Sequence, residues 1–337
     1  MAAIFGCAGT ELDADEKAFF RDCDPAGFIL FARNIETPPQ VRALVSELRN
    51  CTGRDDLLIL IDQEGGRVQR LKPPHWRAAP PQGAFGRLQP ATAARAARLN
   101  ARLLAADLHD LGINVDCLPL LDLRFEGSHD IVGDRSFGGN VATVSALGRA
   151  VCEGLLAGGI LPVIKHIPGH GRARADSHLE LPRVEASREE LERSDFIPFR
   201  ELADMPLAMT AHIVYAAIDP DRPATTSPRV MREVVRGYIG YDGLVMTDDL
   251  SMQALSGRFA TRTADSLAAG CDLVLHCNGD MDEMSEVAGA ARPLDAAGQR
   301  RYERALGMLK TPEPFDRKAS LAELATLVGD PANHLTS

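Results

Sequence analysis

The sequence contains no CxxC pair. Its seven cysteines, at positions 7, 23, 51, 117, 152, 271 and 277, form an odd, scattered set, which speaks against a disulfide framework or a zinc ribbon and leaves most of them as small buried hydrophobes. Aliphatic runs such as LLILI, Leu57 to Ile61, stop far short of the roughly 20 apolar residues that a membrane span needs. The first residues, MAAIFGCAGTELDADEK, lack the basic and apolar regions of a secretory signal. A cytoplasmic protein without a membrane partner is therefore expected. Aromatics make up only 5% of the chain, and no basic run is interleaved with them, so no nucleic-acid partner is expected. The formal charge of −10 is spread along the sequence and speaks mainly to solubility.

What is present is an ordinary globular composition over 337 residues, 45% hydrophobic and 25% charged. Short apolar, β-rich runs recur between longer amphipathic stretches, and their ends carry polar residues, which is the cadence of repeated βα units. The runs are Ile4 to Cys7, Gly27 to Phe31, Leu57 to Ile61, Ile113 to Leu118, Leu161 to Ile164, Leu207 to Met209, Leu244 to Met246 and Leu273 to Leu275. Helical patterns fall at 38–49, 91–111, 141–157, 188–203 and 259–269. Eight such strands predict an α/β fold, a single (β/α)₈ TIM-type barrel. The doubly wound alternative needs a phosphate fingerprint after a strand, and no GxGxxG follows any of these. The whole chain, 1–337, reads as one catalytic barrel with no second domain, and 292–337 as a helical cap closing it.

Active sites of this fold sit at the C-terminal strand ends, and the polar residues cluster there. Asp62 closes the third run, Asp116 the fourth, Lys165 and His166 the fifth, His212 the sixth, Asp248 and Asp249 the seventh, and His276 the eighth. The long segments 63–90 and 122–140 can wall a pocket. In GLVMTDDLSM, Asp248 and Asp249 read as a helix cap, as a pocket carboxylate, or as one of each, since neighbours on a strand point to opposite sides. In GDRSFG, Asp134 and Arg135 read either as an internal ion pair or as a ligand clamp.

The stretch KHIPGHGRARADSH, Lys165 to His178, reads as a functional loop, because three imidazoles, an ammonium and a carboxylate among Pro168, Gly169 and Gly171 suit neither a core nor a helix. Its histidines with Asp176 could ligate a metal, although they do not share a helical face. Alternatively Asp176 orients His178 as a general acid/base, and Asp248 as a nucleophile completes the parts for a two-step displacement. The glycines of this loop also predict that it moves on binding, with His178 far from Asp248 when no ligand is bound.

These segments, DQEGGRVQRL, GDRSFG, KHIPGHGRARADSH, MTAHIVY and VMTDDLSM, resemble in order the β-N-acetylglucosaminidases of glycoside hydrolase family 3. The resemblance implies a retaining exo-enzyme that removes N-acetylglucosamine from 1,6-anhydromuramoyl peptides in bacterial cell-wall recycling; no metal or cofactor is expected. It implies Asp248 as the nucleophile, His178 held by Asp176 as the acid/base, and Asp62, Arg70, Arg135, Lys165 and His166 as sugar-binding residues, with Asp249 as support. A monomer acting on a small glycan is expected. An imidazole acid/base removes one negative charge from the acceptor site, so phosphorolysis yielding the sugar 1-phosphate is a variant. A metal-dependent barrel hydrolase, a Schiff-base lyase using Lys165 and a non-catalytic sugar-binding barrel are the competing readings.

Overall fold

Eight apolar runs pair side by side until the last meets the first. In the computed structural model, which describes residues 1–127, 132–173, 177 and 180–329, the barrel strands are β1 (Ala3–Gly6), β2 (Gly27–Leu30), β3 (Leu58–Ile61), β4 (Val115–Asp116), β5 (Leu161–Ile167), β6 (Leu207–Thr210), β7 (Leu244–Asp249) and β8 (Leu273–His276). Every neighbouring pair is parallel and the sheet closes on itself, so no edge is left unpaired. Strand residues such as Ile4, Ile29, Leu60, Val163, Leu207, Val245 and Leu273 are essentially inaccessible, each worth roughly 1.5–3 kcal/mol of burial.

The predicted (β/α)₈ barrel is the fold observed, with differences at the strand ends. β5 runs through Lys165 and His166 to Ile167, so the stretch expected to be loop from Lys165 begins as strand. Its pairing with β6 shifts register between Lys165 and Ile167, and that of β7 with β8 between Met246 and Asp249. Such bulges re-aim side chains at barrel rims, and these two lie where the candidate site residues sit.

The helices at Pro38–Thr52, Pro90–His109, Val141–Ala157 and Phe259–Ala269 match the expected spans to within a few residues. The pattern at 188–203 is two helices, Arg188–Arg193 and Ile197–Glu201; Pro198 sits in the first turn of the second, where its missing N–H costs nothing. The helices Ala14–Cys23 and Met281–Ala290, each capped by a preceding aspartate, were not anticipated. Pro90–His109 and Val141–Ala157 approach closely because their contact is made of small residues: a Cβ on Gly154 would stand 2.4 Å from the Arg98 carbonyl oxygen.

Beyond β8 lie the helices Ala296–Leu306 and Arg317–Val328. The Tyr302 hydroxyl lies 2.8 Å from the Ala26 carbonyl oxygen and 2.7 Å from that of Asp56, just ahead of β2 and β3, so this part of the chain packs on the N-terminal end of the barrel. Arg317 pairs with Asp107 of the Pro90–His109 helix. Among the described residues, no helix is long and apolar enough to cross a membrane.

Candidate active site

At the opposite end, where the strands finish, a cavity of about 170 Å³ opens among Asp62, Glu64, Arg70, Arg135, Lys165, His166, His170, Asp248 and Asp249, with Phe31, Val68, Val132, Met209 and Met252 on its apolar side. The polypeptide after β3 folds back as a short antiparallel hairpin, Gln63–Gly65 with Val68–Gln69. Gly65 is required at its turn, with φ 94° and Pro80 so near that a Cβ would meet its carbonyl oxygen at 2.3 Å. The buried Gln63 amide oxygen accepts the backbone N–H groups of Arg70 and Leu71, so this hairpin brings Asp62, Glu64 and Arg70 to one wall.

Charges on that wall alternate. Arg70 donates to Asp62 at 3.0 Å, Lys165 reaches Asp62 at 2.9 Å and Glu64 at 2.7 Å, and Arg135 grips Glu64 with two bonds of 2.8 Å. Three cations face two carboxylates, leaving one net positive charge. Burial pushes the Asp62 and Glu64 carboxyls up, but Lys165 and Arg70 outweigh it at Asp62, and Arg135 and Lys165 outweigh it at Glu64; both stay ionised, below the usual carboxylate range. Burial likewise works against the Lys165 ammonium, yet Asp62 and Glu64 raise its pKa above the ordinary lysine value. The Arg70 Nε is buried with no hydrogen-bond partner among the described residues, which leaves one donor on this wall open.

The facing wall is built from imidazoles. Lys165 and His166, consecutive and joined by a cis peptide, both border the cavity. His166 Nδ1 lies 2.7 Å from Asp122 Oδ2, and its Nε2 lies 4.0 Å from Asp248 Oδ2. The His170 ring stands edge-on to it with centroids 5.6 Å apart, and its Nε2 meets Ser177 Oγ at 3.1 Å. Burial first, then the neighbouring His166, lowers the His170 pKa to about 4, so this ring is neutral at neutral pH.

Asp248 differs from the other carboxylates bordering the cavity. Asp62 and Glu64 have both oxygens engaged by cations, and Asp249 accepts from the Ser251 and Cys277 N–H groups and from the Ser251 hydroxyl. Asp248 receives the Asp249 N–H on Oδ1 at 2.8 Å, while among the described residues Oδ2 has only the His166 ring, 4.0 Å away. Burial pushes its carboxyl up, but His166 and His212 prevail and hold it below the usual range. An ionised carboxylate with one uncommitted oxygen facing a cavity is chemically available as a nucleophile.

A profile described as the glycosyl hydrolase family 3 N-terminal domain matches residues 6–305. The chain belongs to glycosyl hydrolase family 3. Within this family of glycoside hydrolases, a β-hexosaminidase of Pseudomonas aeruginosa is 41% identical over 281 residues, 80% of either chain. One from Bordetella pertussis is 37% identical over 314 residues, 91% of this chain and 88% of its own. Among solved structures, NagZ from Neisseria gonorrhoeae in complex with N-trifluoroacetyl-D-glucosamine superposes with a TM-score of 0.87 at 32% identity, covering 97% of this chain and 98% of the other. A family 3 β-N-acetylglucosaminidase from Paenibacillus sp. gives a TM-score of 0.85 at 30% identity; this chain spans 66% of that longer protein.

Of the residues singled out in this family 3 sequence, Asp62, Arg70, Arg135, Lys165, His166 and Asp248 converge on one cavity, although they are scattered over more than half the chain. Asp176 and His178 lie outside the described residues, as does most of the far end of the loop expected to move. Ser177 between them is buried and borders the cavity; its carbonyl accepts the Ala254 N–H at 3.2 Å. The internal ion pair expected in GDRSFG is not formed: Asp134 meets Arg67 at 3.3 Å, while Arg135 turns inward to Glu64 and borders the cavity. His212 is structural, bridging Thr225 Oγ1 at 2.7 Å and the Asp249 carbonyl at 3.0 Å. Asp116 is buried beneath the cavity, holding the Gln63 N–H at 3.0 Å. Glu64 and Asp122 were missed. Glu64 stands two residues past Asp62, the spacing that returns a strand residue to the same face, and that signal could have found it. Asp122, the one charge in PLLDL, had no such signal. Among the described residues, no group of three or more His, Cys, Asp or Glu is placed to hold a metal ion.

Proposed function

We propose that this glycoside hydrolase, like its curated relatives a β-N-acetylhexosaminidase, is a retaining exo-enzyme that removes terminal N-acetylglucosamine from 1,6-anhydromuramoyl peptide fragments of peptidoglycan. The observation that carries the mechanism is the uncommitted Oδ2 of Asp248, the only such oxygen on a carboxylate among the described residues bordering the cavity. The carboxylate attacks the anomeric carbon as the glycosidic C–O bond breaks, and His178, oriented by Asp176, gives its proton to the departing oxygen. Water then attacks the same carbon from the vacated side, His178 takes its proton, and the bond to Asp248 breaks, so two inversions give retention. Asp62, with its charge fixed by Lys165 and Arg70, accepts from sugar hydroxyls; Arg70, Arg135, Lys165 and His166 supply the remaining contacts.

The crystallised Neisseria relative with an N-acylglucosamine analogue supports the sugar assignment. The enzyme acts as a cytoplasmic monomer and as one catalytic domain, and its seven unpaired cysteines suit a reducing compartment. The test is hydrolysis of an aryl β-N-acetylglucosaminide and of an N-acetylglucosaminyl-anhydromuramoyl peptide by wild type, Asp248→Asn and His178→Ala. Both variants should lose at least about a hundredfold in kcat. An Asp248→Asn enzyme at full rate would remove Asp248 from its role. Running the same assay with millimolar phosphate distinguishes water from phosphate as the acceptor.

A further inference from the structure

Behind the imidazole wall stands Asp122, fully buried in the segment after β4. Its Oδ1 accepts two backbone N–H groups, from His166 at 3.1 Å and His170 at 2.7 Å, and its Oδ2 meets His166 Nδ1 at 2.7 Å. Burial pushes this carboxyl up, but His166 and His170, both hydrogen-bonded to it, outweigh it and hold the pKa at about 2. An ionised carboxylate can only accept, so His166 Nδ1 must carry the hydrogen. In the neutral ring Nε2 is then an acceptor, and Nε2 is the nitrogen that faces Asp248 across 4.0 Å, a gap too long for a direct hydrogen bond.

We propose that Asp122 is a positioning residue for the glycosidase reaction: it sets, from behind, the hydrogen-bond polarity of the His166 nitrogen that faces the substrate and the nucleophile. The proposal rests on the reading of this cavity as the sugar site. Among the described residues, the groups facing the His166 ring are Asp122, Asp248 and the edge of His170, and of these only Asp122 is within hydrogen-bond distance of a ring nitrogen.

The surroundings make Asp122→Asn a selective perturbation. Two N–H donors converge on Oδ1, so the asparagine must place its oxygen there, because its NH₂ would face two donors. The NH₂ therefore takes the Oδ2 position and donates to Nδ1, which becomes the acceptor. The ring's proton moves to Nε2, and the cavity-facing polarity inverts with almost no change of shape.

The experiment measures kcat, KM and melting temperature for wild type, Asp122→Asn, His166→Ala and the double variant on an aryl β-N-acetylglucosaminide, together with ¹⁵N NMR of the histidine-labelled wild type at neutral pH. Asp122→Asn should fold, melting at most a few degrees below wild type for the loss of a buried charge, yet lose at least about tenfold in kcat/KM. Placed on His166→Ala, it should cost no more than about twofold. Wild-type kcat/KM in Asp122→Asn, or an equal loss in the His166→Ala background, would overturn the proposal. If Asp122→Asn fails to fold, the spectrum decides: a His166 ring protonated on Nδ1 alone supports the proposal, and a ring carrying a proton on Nε2 refutes it. A wild type inactive on the glycoside would count against the function, and the spectrum would still judge Asp122 separately.

Discussion

Glu64 offers the sharpest test of how the cavity is held together. It is 2% exposed, holds Arg135 through two bonds of 2.8 Å, and meets Lys165, also 2% exposed, at 2.7 Å. Replacing it by glutamine keeps the shape and removes the charge, leaving three cations on that wall opposite Asp62 alone. Removing one member of a buried pair costs about 3–5 kcal/mol. Unfolding entropy of about 2.1 cal/mol/K per residue, taken over 337 residues, turns this into a drop in melting temperature of about 4–7 °C. Because the pairs are buried, added salt should not rescue the variant. The Glu64 pKa lies below its ordinary value of 4.5, so the wild type's advantage is present above that pH and is lost as pH falls through the folded-state pKa. Calorimetry at pH 7 and in acid, at low and high salt, measures all three effects. The exposed Arg193–Glu189 pair is the control, and Arg193→Ala should melt as wild type does. A Glu64→Gln protein melting within about 1 °C of wild type at pH 7 would show that the Glu64 charge does not hold this wall together.

Two further outcomes concern stability. Lowering the His170 pKa from 6.5 to about 4 means that the unfolded chain binds a proton which the folded chain refuses, so stability falls as pH drops from about 6.5 towards 4, by about 3 kcal/mol in all; denaturant titrations should show that slope reduced in His170→Gln. At the junction of Pro90–His109 with Val141–Ala157, Gly154→Ala should cost about 1–3 kcal/mol by overpacking, since the new Cβ meets the Arg98 carbonyl oxygen at 2.4 Å and the Ala101 Cβ at 2.8 Å; an unchanged denaturation midpoint would show that the helices can part without penalty.

The barrel was legible because its strands are short, apolar and regularly punctuated, and burial of runs such as LILI on all sides leaves little ambiguity. The strand ends were harder to read. Lys165 and His166 break the apolar run, so the sequence reads as strand end passing into loop there, although β5 continues through them to Ile167, because tertiary pairing with Asp62, Glu64 and Asp122 satisfies their polar groups within the sheet. Pro198 was absorbed into one helical pattern at 188–203, where it instead opens a second helix. The candidate site residues could be named one by one, but the partnerships among them could not. Lys165 meets Asp62 across 103 positions and Arg135 meets Glu64 across 71, and nothing local encodes such distances. For the same reason the supporting acid Asp122 carries no local sign of the imidazole that the fold places against it, whereas Glu64 is marked only by its two-residue spacing from Asp62.

The proposed mechanism turns on a covalent bond between Asp248 and the sugar. Incubation with a slow fluorinated N-acetylglucosaminyl fluoride, followed by peptic digestion and mass spectrometry, tests it directly. One glycosyl unit is expected on the peptide containing Asp248, with inactivation following the same time course; an adduct on another residue, or turnover with no covalent adduct at any time, would exclude Asp248 as the nucleophile.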